Sequence, residues 1–144
     1  MWRDSVGNIN TYLADETPSG LWYGVADMNT GRRMATTYGS LEAFLPAVFA
    51  LGGDLDRARK LHESGFKMWT ANGIEPEEFD YNLMRATRPG YQLRPEIIES
   101  AYYLSHYTKD RRFVEMGQWS STRKRIRCDV LGSNDSRLSD SQEK

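Results

Sequence analysis

The hydrophobic positions in the middle of the chain repeat with the spacing of an α-helix. Apolar residues recur every three to four positions in four stretches, which cover residues 41–49, 58–69, 97–104 and 113–116. A residue that favours the start of a helix precedes each stretch, namely Ser40, Asp54, Pro95 and Asp110. Pro46 lies inside the first stretch and predicts a kink or a late helix start. The pattern predicts an all-α fold of two helical hairpins, as in a helical array or a partial α/α toroid.

The segments outside these stretches lack helical spacing. Residues 1–38 are predicted to be loop-rich and extended, with a short strand at 21–25 that forms a hairpin or an ordered loop. Residues 74–92 contain two prolines and predict a long irregular connection. The apolar spacing is lost near residue 120, which predicts a weakly ordered tail. We therefore expect a partial toroid domain at 1–118 and a divergent tail at 119–144.

Composition and charge exclude several classes of protein. The 19 basic and 20 acidic residues give a net charge of −1, so no positive field would attract nucleic acid. The chain has no run of 18 apolar residues, which predicts no transmembrane segment, and no apolar signal sequence is visible at its start. Cys128 is the single cysteine and cannot form an intramolecular disulfide. His62 and His106 lack partners at metal-ligand spacing, so they predict no metal site.

Two acidic groups are candidates for chemistry. Glu96 and Glu99 fall in the first turn of the third predicted helix, on one face, and Arg94 just before them could pair with either carboxylate. The second group, at 75–78, lies in the loop after the second helix. A charged helix start and a solvated turn explain both groups without any chemistry. A glycosidase, however, needs carboxyl groups on both sides of the bond that it cleaves.

Three segments, in order along the chain, resemble motifs of glycoside hydrolase family 47. These enzymes are the class I α-1,2-mannosidases and include the endoplasmic reticulum degradation-enhancing α-mannosidase-like proteins. Residues 40–46 resemble the segment S-L-x-A-F-x-P, residues 73–77 resemble G-x-x-P-E, and residues 93–104 resemble the segment that begins with L-R-P-E. The resemblance extends from about Trp22 to Gly117.

The resemblance implies an inverting, calcium-dependent mannosidase built on an (αα)7 toroid. Such an enzyme trims α-1,2-linked mannose from high-mannose N-glycans on misfolded glycoproteins during quality control in the endoplasmic reticulum. By matching position, Glu77 and Glu96 would be catalytic carboxyl groups, and Arg94 and Glu99 would line the sugar site. No residue of this chain matches the threonine that binds calcium in the family, so no metal ligand is assigned here.

The sequence also departs from the family pattern. Gly39 stands where the family has an acidic residue before S-L-x-A-F, and glycine can neither donate nor accept a proton. A further family acid, in an upstream Y-Y-E-Y-type segment, has no counterpart. We therefore expect a truncated member that does not turn over substrate by itself. Two alternatives stay open: a non-catalytic segment that binds mannose glycans or client proteins, and a helical-hairpin scaffold.

Overall fold

A computed structural model describes residues 1–120, apart from the side chain of Trp2. The predicted tail lies outside the described residues from 121 onward. The helices are α1 (Trp2–Tyr12), a 3-10 helix (Glu42–Phe44), α2 (Leu45–Leu51), α3 (Leu55–Asn72), α4 (Glu96–Thr108) and α5 (residues 111–120). The strands are β1 (Ala14–Thr17), β2 (Gly20–Tyr23), β3 (Val25–Ala26), β4 (Arg33–Ala35), β5 (Thr37–Gly39), β6 (Glu78–Asp80) and β7 (Arg85–Arg88).

The two predicted helical hairpins are present. The first, α2–α3, turns at Asp54, whose carboxylate accepts a hydrogen bond from the backbone N–H of Arg57 at 3.2 Å. Helix α3 ends at Gly73, which adopts φ 78°, a left-handed conformation that suits glycine. The predicted late start also holds, because Pro46 lies in the first turn of α2, directly after the 3-10 helix.

The second hairpin, α4–α5, packs against the first. Asp110 caps α5 by accepting a hydrogen bond from the N–H of Arg112 at 3.0 Å. Phe113 is buried and its ring lies 5.5 Å from that of His62 on α3. Val114, in the same predicted apolar stretch, is 43% exposed because the next residue along a helix points about 100° away.

The prediction for residues 1–38 was wrong in one respect and right in another. Residues 2–12 form a helix, although Gly7 and several polar residues are poor helix formers. Tertiary packing overrides this weak propensity, since Val6, Ile9 and Leu13 contact the hydrophobic core. The predicted strand is confirmed as β2, which pairs with β1 in an antiparallel hairpin.

The prediction of an irregular connection at 74–92 was wrong, because this segment contains a β-hairpin. Strands β6 and β7 extend β5 into a three-stranded antiparallel sheet, with Thr37 opposite Asp80 and Gly39 opposite Glu78. This sheet joins two segments about forty positions apart. It connects the strand that precedes the first helical hairpin to the segment that follows α3.

An aromatic cluster forms the centre of the core between the sheet and the β1–β2 hairpin. Trp22 is fully buried, and its indole ring stacks on Tyr81 at 5.3 Å and on Phe79 at 6.0 Å. The ring of Tyr38 meets it edge-on at 5.6 Å. None of the helices within residues 1–120 combines the length and the apolar character needed to cross a membrane.

Candidate active site

A polar cleft of about 330 Å³ lies where β5 and the 3-10 helix meet the loop around residue 77. Charged side chains of both signs line it: Glu42, Glu77, Glu78, Arg88 and Arg94. Two of the four site residues predicted from the sequence, Glu77 and Arg94, are therefore in one cleft.

The side chain and the backbone of Glu77 are both held by polar contacts. Its carboxylate lies 3.4 Å from Nε of Arg94 and accepts a hydrogen bond from the N–H of Gln92 at 3.1 Å. Its backbone N–H donates to the carbonyl of Gly90 at 2.9 Å, and its carbonyl accepts from the N–H of Ser40 at 3.3 Å. The side chain is only 10% exposed. Arg94 thus forms its ion pair with Glu77, not with either of the carboxylates on α4.

Glu96 is the first residue of α4, a helix that packs against the 3-10 helix. One turn later, the hydroxyl of Ser100 donates to the carbonyl of Ala43 at 2.6 Å, which fixes the start of α4 against that helix. Oε2 of Glu96 is buried and has no hydrogen-bond partner among the described residues. A buried polar atom without a hydrogen-bond partner lowers the stability of the fold. Such an atom therefore calls for an explanation, and a role at a functional site is one.

Glu77 and helix α4, which begins at Glu96, both contact one short segment, although Glu96 itself does not line the cleft. Residues 40–43 contact Glu77 through the N–H of Ser40 and contact α4 through the carbonyl of Ala43. Glu99, predicted to line the sugar site, is an exposed residue of α4 and does not line the cleft.

Gly39 leaves space that another residue fills. A Cβ atom at this position would lie 2.5 Å from Oε2 of Glu42 and 3.1 Å from the carbonyl oxygen of Glu77. Glu42 is the candidate that the motifs missed, because it falls on the variable position of S-L-x-A-F-x-P. The signal that could have found it is an acidic residue three positions after the missing one.

The described residues do not make a calcium site by themselves. Calcium takes six to eight oxygen ligands, most of them from several carboxylates and carbonyls. Within residues 1–120, no group of three or more Asp, Glu, His or Cys side chains is close enough to hold a metal ion. The carboxylate of Glu77, which lines the cleft, is already bound to Arg94.

Replacing Glu77 with glutamine tests how firmly this part of the cleft is held. The amide oxygen can still accept from Gln92, but the ion pair with Arg94 is lost. Because Arg94 is about one third exposed, we expect the free energy of unfolding to fall by only about 1 kcal/mol. Urea denaturation measures the change. The exposed Glu115 gives a matched control, and an equal effect of Glu115→Gln would contradict a specific role for Glu77.

Comparison with known proteins identifies the family. The family model described as Glycosyl hydrolase family 47 matches residues 1–139. The chain is 34% identical over 113 residues to Alpha-mannosidase I MNS5 from Arabidopsis thaliana, covering 76% of this chain and 20% of that protein. It is 37% identical over 101 residues to ER degradation-enhancing alpha-mannosidase-like protein 2 from Homo sapiens, covering 67% of this chain and 17% of that protein.

A solved structure agrees in fold. The alpha-1,2-mannosidase from Trichoderma reesei matches with a TM-score of 0.70 and 23% identity, over 85% of this chain and 31% of that one. The two helical hairpins are therefore part of an α/α toroid, as the resemblance implied. The chain spans about a fifth of the length of the curated relatives that it matches. These matches establish that the chain belongs to glycosyl hydrolase family 47.

Proposed function

We propose that this chain forms part of the sugar site of an α-1,2-mannosidase that acts on high-mannose N-glycans of misfolded glycoproteins. The observation that carries the proposal is the cleft in which Glu77 is paired with Arg94. A buried oxygen of Glu96 that has no hydrogen-bond partner among the described residues supports it. The names of the relatives support a mannosidase, and those of the degradation-enhancing proteins support the endoplasmic reticulum as its place of action.

The proposed roles follow from the resemblance to the family. Glu77 and Glu96 would supply the two carboxyl groups that an inverting glycosidase needs, and in such enzymes these groups lie about 6.5–9.5 Å apart so that a water molecule fits between sugar and base. Arg94 is held by Glu77, and its remaining N–H donors can bind sugar hydroxyls. Glu99, which is exposed, would contact the glycan only at the rim.

Calcium belongs to the proposal for the whole protein rather than to the described residues. Ligands beyond residues 1–120 would have to complete such a site, because the described part contains no metal-binding cluster. When bound, the ion would orient sugar hydroxyls through its oxygen coordination. Calcium is therefore included in the test below, with a chelated sample beside it.

Gly39 favours a second candidate function, in which the chain binds mannose glycans without hydrolysing them. The family position before S-L-x-A-F lacks its carboxyl group here, so this chain lacks one of the acidic groups of the family's site, and glycine can neither donate nor accept a proton in its place. We therefore propose that the chain itself binds terminal mannose. Hydrolysis would require a site that has all the acidic groups of the family.

The test combines binding and release. We expect the 144-residue protein to bind α-1,2-mannobiose in a calorimetric or NMR titration, and to release no mannose from a high-mannose oligosaccharide. Glu96→Gln should weaken binding by about tenfold, because a hydrogen bond to a charged group is lost, while Glu115→Gln should have no effect. Absence of both binding and release, with calcium and with chelator, would overturn the proposed function. Mannose release by the unmodified protein would overturn the non-catalytic alternative.

A further inference from the structure

The cleft has three carboxylates in the described part of the chain, and only one of them is free. Glu77 is bound to Arg94 and Gln92. Glu78 accepts a hydrogen bond from the hydroxyl of Thr87 at 2.6 Å. The carboxylate of Glu42 makes no hydrogen bond or ion pair with any residue among 1–120, although it lines the same cleft. It is therefore the carboxylate available to a ligand.

Gly39 leaves room for the position of this free carboxylate. The oxygen Oε2 of Glu42 lies 2.5 Å from the place that a Cβ atom of residue 39 would occupy, so a side chain at residue 39 would displace the carboxylate. Gly39 itself has no left-handed backbone angle, since its φ is not among the positive values of the chain. Conformational freedom does not require glycine here, but the observed position of the Glu42 carboxylate does.

The backbone of Glu42 is held firmly below its side chain. The phenol of Tyr38 donates a hydrogen bond to the carbonyl of Glu42 at 2.7 Å, and Tyr38 is fully buried beside Trp22. Burial raises the pKa of Tyr38 well above its usual value, so this phenol stays protonated and remains a donor. The hydrogen bond from Tyr38 thus fixes the backbone from which the Glu42 carboxylate extends into the cleft.

We propose that Glu42 supplies to this cleft the carboxylate that residue 39 lacks, and that it binds hydroxyl groups of a terminal α-mannose there. This inference rests on the proposed function. A carboxylate has two acceptor oxygens and matches a pair of neighbouring sugar hydroxyls, which are donors. Arg88 and Arg94, which also line the cleft, supply donors for the remaining sugar oxygens.

The experiment uses the 144-residue protein and α-1,2-mannobiose as the probe. Glu42→Gln keeps the shape of the side chain and removes its charge, whereas Gly39→Ala keeps Glu42 and pushes its carboxylate out of place. We expect each change to weaken binding by about tenfold. The double variant should bind no more weakly than either single variant, because both act on one carboxylate. Thermal unfolding of each variant checks that it is folded, and Glu115→Gln is the charge-matched control.

The outcomes separate this inference from the proposed function. Binding by the unmodified protein that is unchanged in Glu42→Gln would overturn the role of Glu42 and leave the proposed function standing. Additive losses in the double variant would also overturn it, because two independent contacts would then be involved. If the unmodified protein does not bind mannobiose, the proposed function fails and the inference fails with it.

Discussion

Replacing Trp22 with alanine is expected to lower the free energy of unfolding by about 3–5 kcal/mol, the usual range for a large buried aromatic residue. Trp22 is 0% exposed and is in ring contact with Tyr38, Phe79 and Tyr81. Its indole N–H donates to the hydroxyl of Ser19 at 2.8 Å. The substitution therefore removes packing, leaves a cavity and frees a polar partner. Since domains are stable by about 5–15 kcal/mol, a large part of the fold's stability would be lost.

Chemical denaturation followed by far-ultraviolet circular dichroism measures this loss. Tyr102→Ala is the matched control, because Tyr102 is an aromatic residue of α4 that is 65% exposed, and its replacement should cost less than about 1 kcal/mol. Trp22→Phe should fall between the two, since it keeps a stacked ring but loses the hydrogen bond. Equal stabilities of Trp22→Ala and Tyr102→Ala would show that the aromatic cluster is not the centre of the core.

The effect of Trp22 should reach the cleft as well as the core. Phe79 and Tyr81 lie on and beside β6, which begins directly after Glu77, and Tyr38 lies on β5 and holds Glu42. The indole ring of Trp22 contacts all three of these aromatic residues. The same aromatic cluster that stabilises the sheet therefore sets the positions of Glu42 and Glu77 relative to each other.

The helices of the two hairpins were predictable because their signals are local, whereas α1 was not predicted. In α3, the apolar stripe, the Asp54 cap and the Gly73 stop all lie within one stretch of the chain, and each is present in the structure. The β6–β7 hairpin was not predictable in this way. Strand β6 has three residues and is stabilised by pairing with β5, which lies far away in sequence.

The candidate site shows the same division between local and long-range information. Glu77 and Arg94 could be assigned because they lie in recognisable motifs, and the structure places them in one cleft. Their ion pair could not be assigned, because the charges on α4 were nearer to Arg94 in sequence. Glu42 was missed because the space above Gly39 is a property of the folded chain rather than of a motif.

Lowering the pH from 6.5 to 4 is expected to reduce the free energy of unfolding through His62. This side chain is buried on α3 against Phe113, and neither ring nitrogen has a hydrogen-bond partner among residues 1–120. Burial lowers its pKa to about 4, whereas a histidine in the unfolded chain has a pKa near 6.5. Between these values the unfolded state binds the additional proton. The linked loss of stability amounts to about 3 kcal/mol across this range, and the contribution of His62 to the slope fades above pH 6.5 as the unfolded histidine loses its proton.

The variant His62→Leu isolates this contribution. It replaces a buried, unpaired imidazole with an apolar side chain of similar size, so stability between pH 4.5 and 6.5 should become nearly flat. His106→Leu, at an exposed position of α4, should keep the original slope. The carboxyl groups whose pKa values lie below 3.8 in the fold, those of Asp27, Asp80 and Asp110, act mainly below this window. An unchanged slope in His62→Leu would mean that another group takes up the proton, and that α5 is not packed over a neutral imidazole.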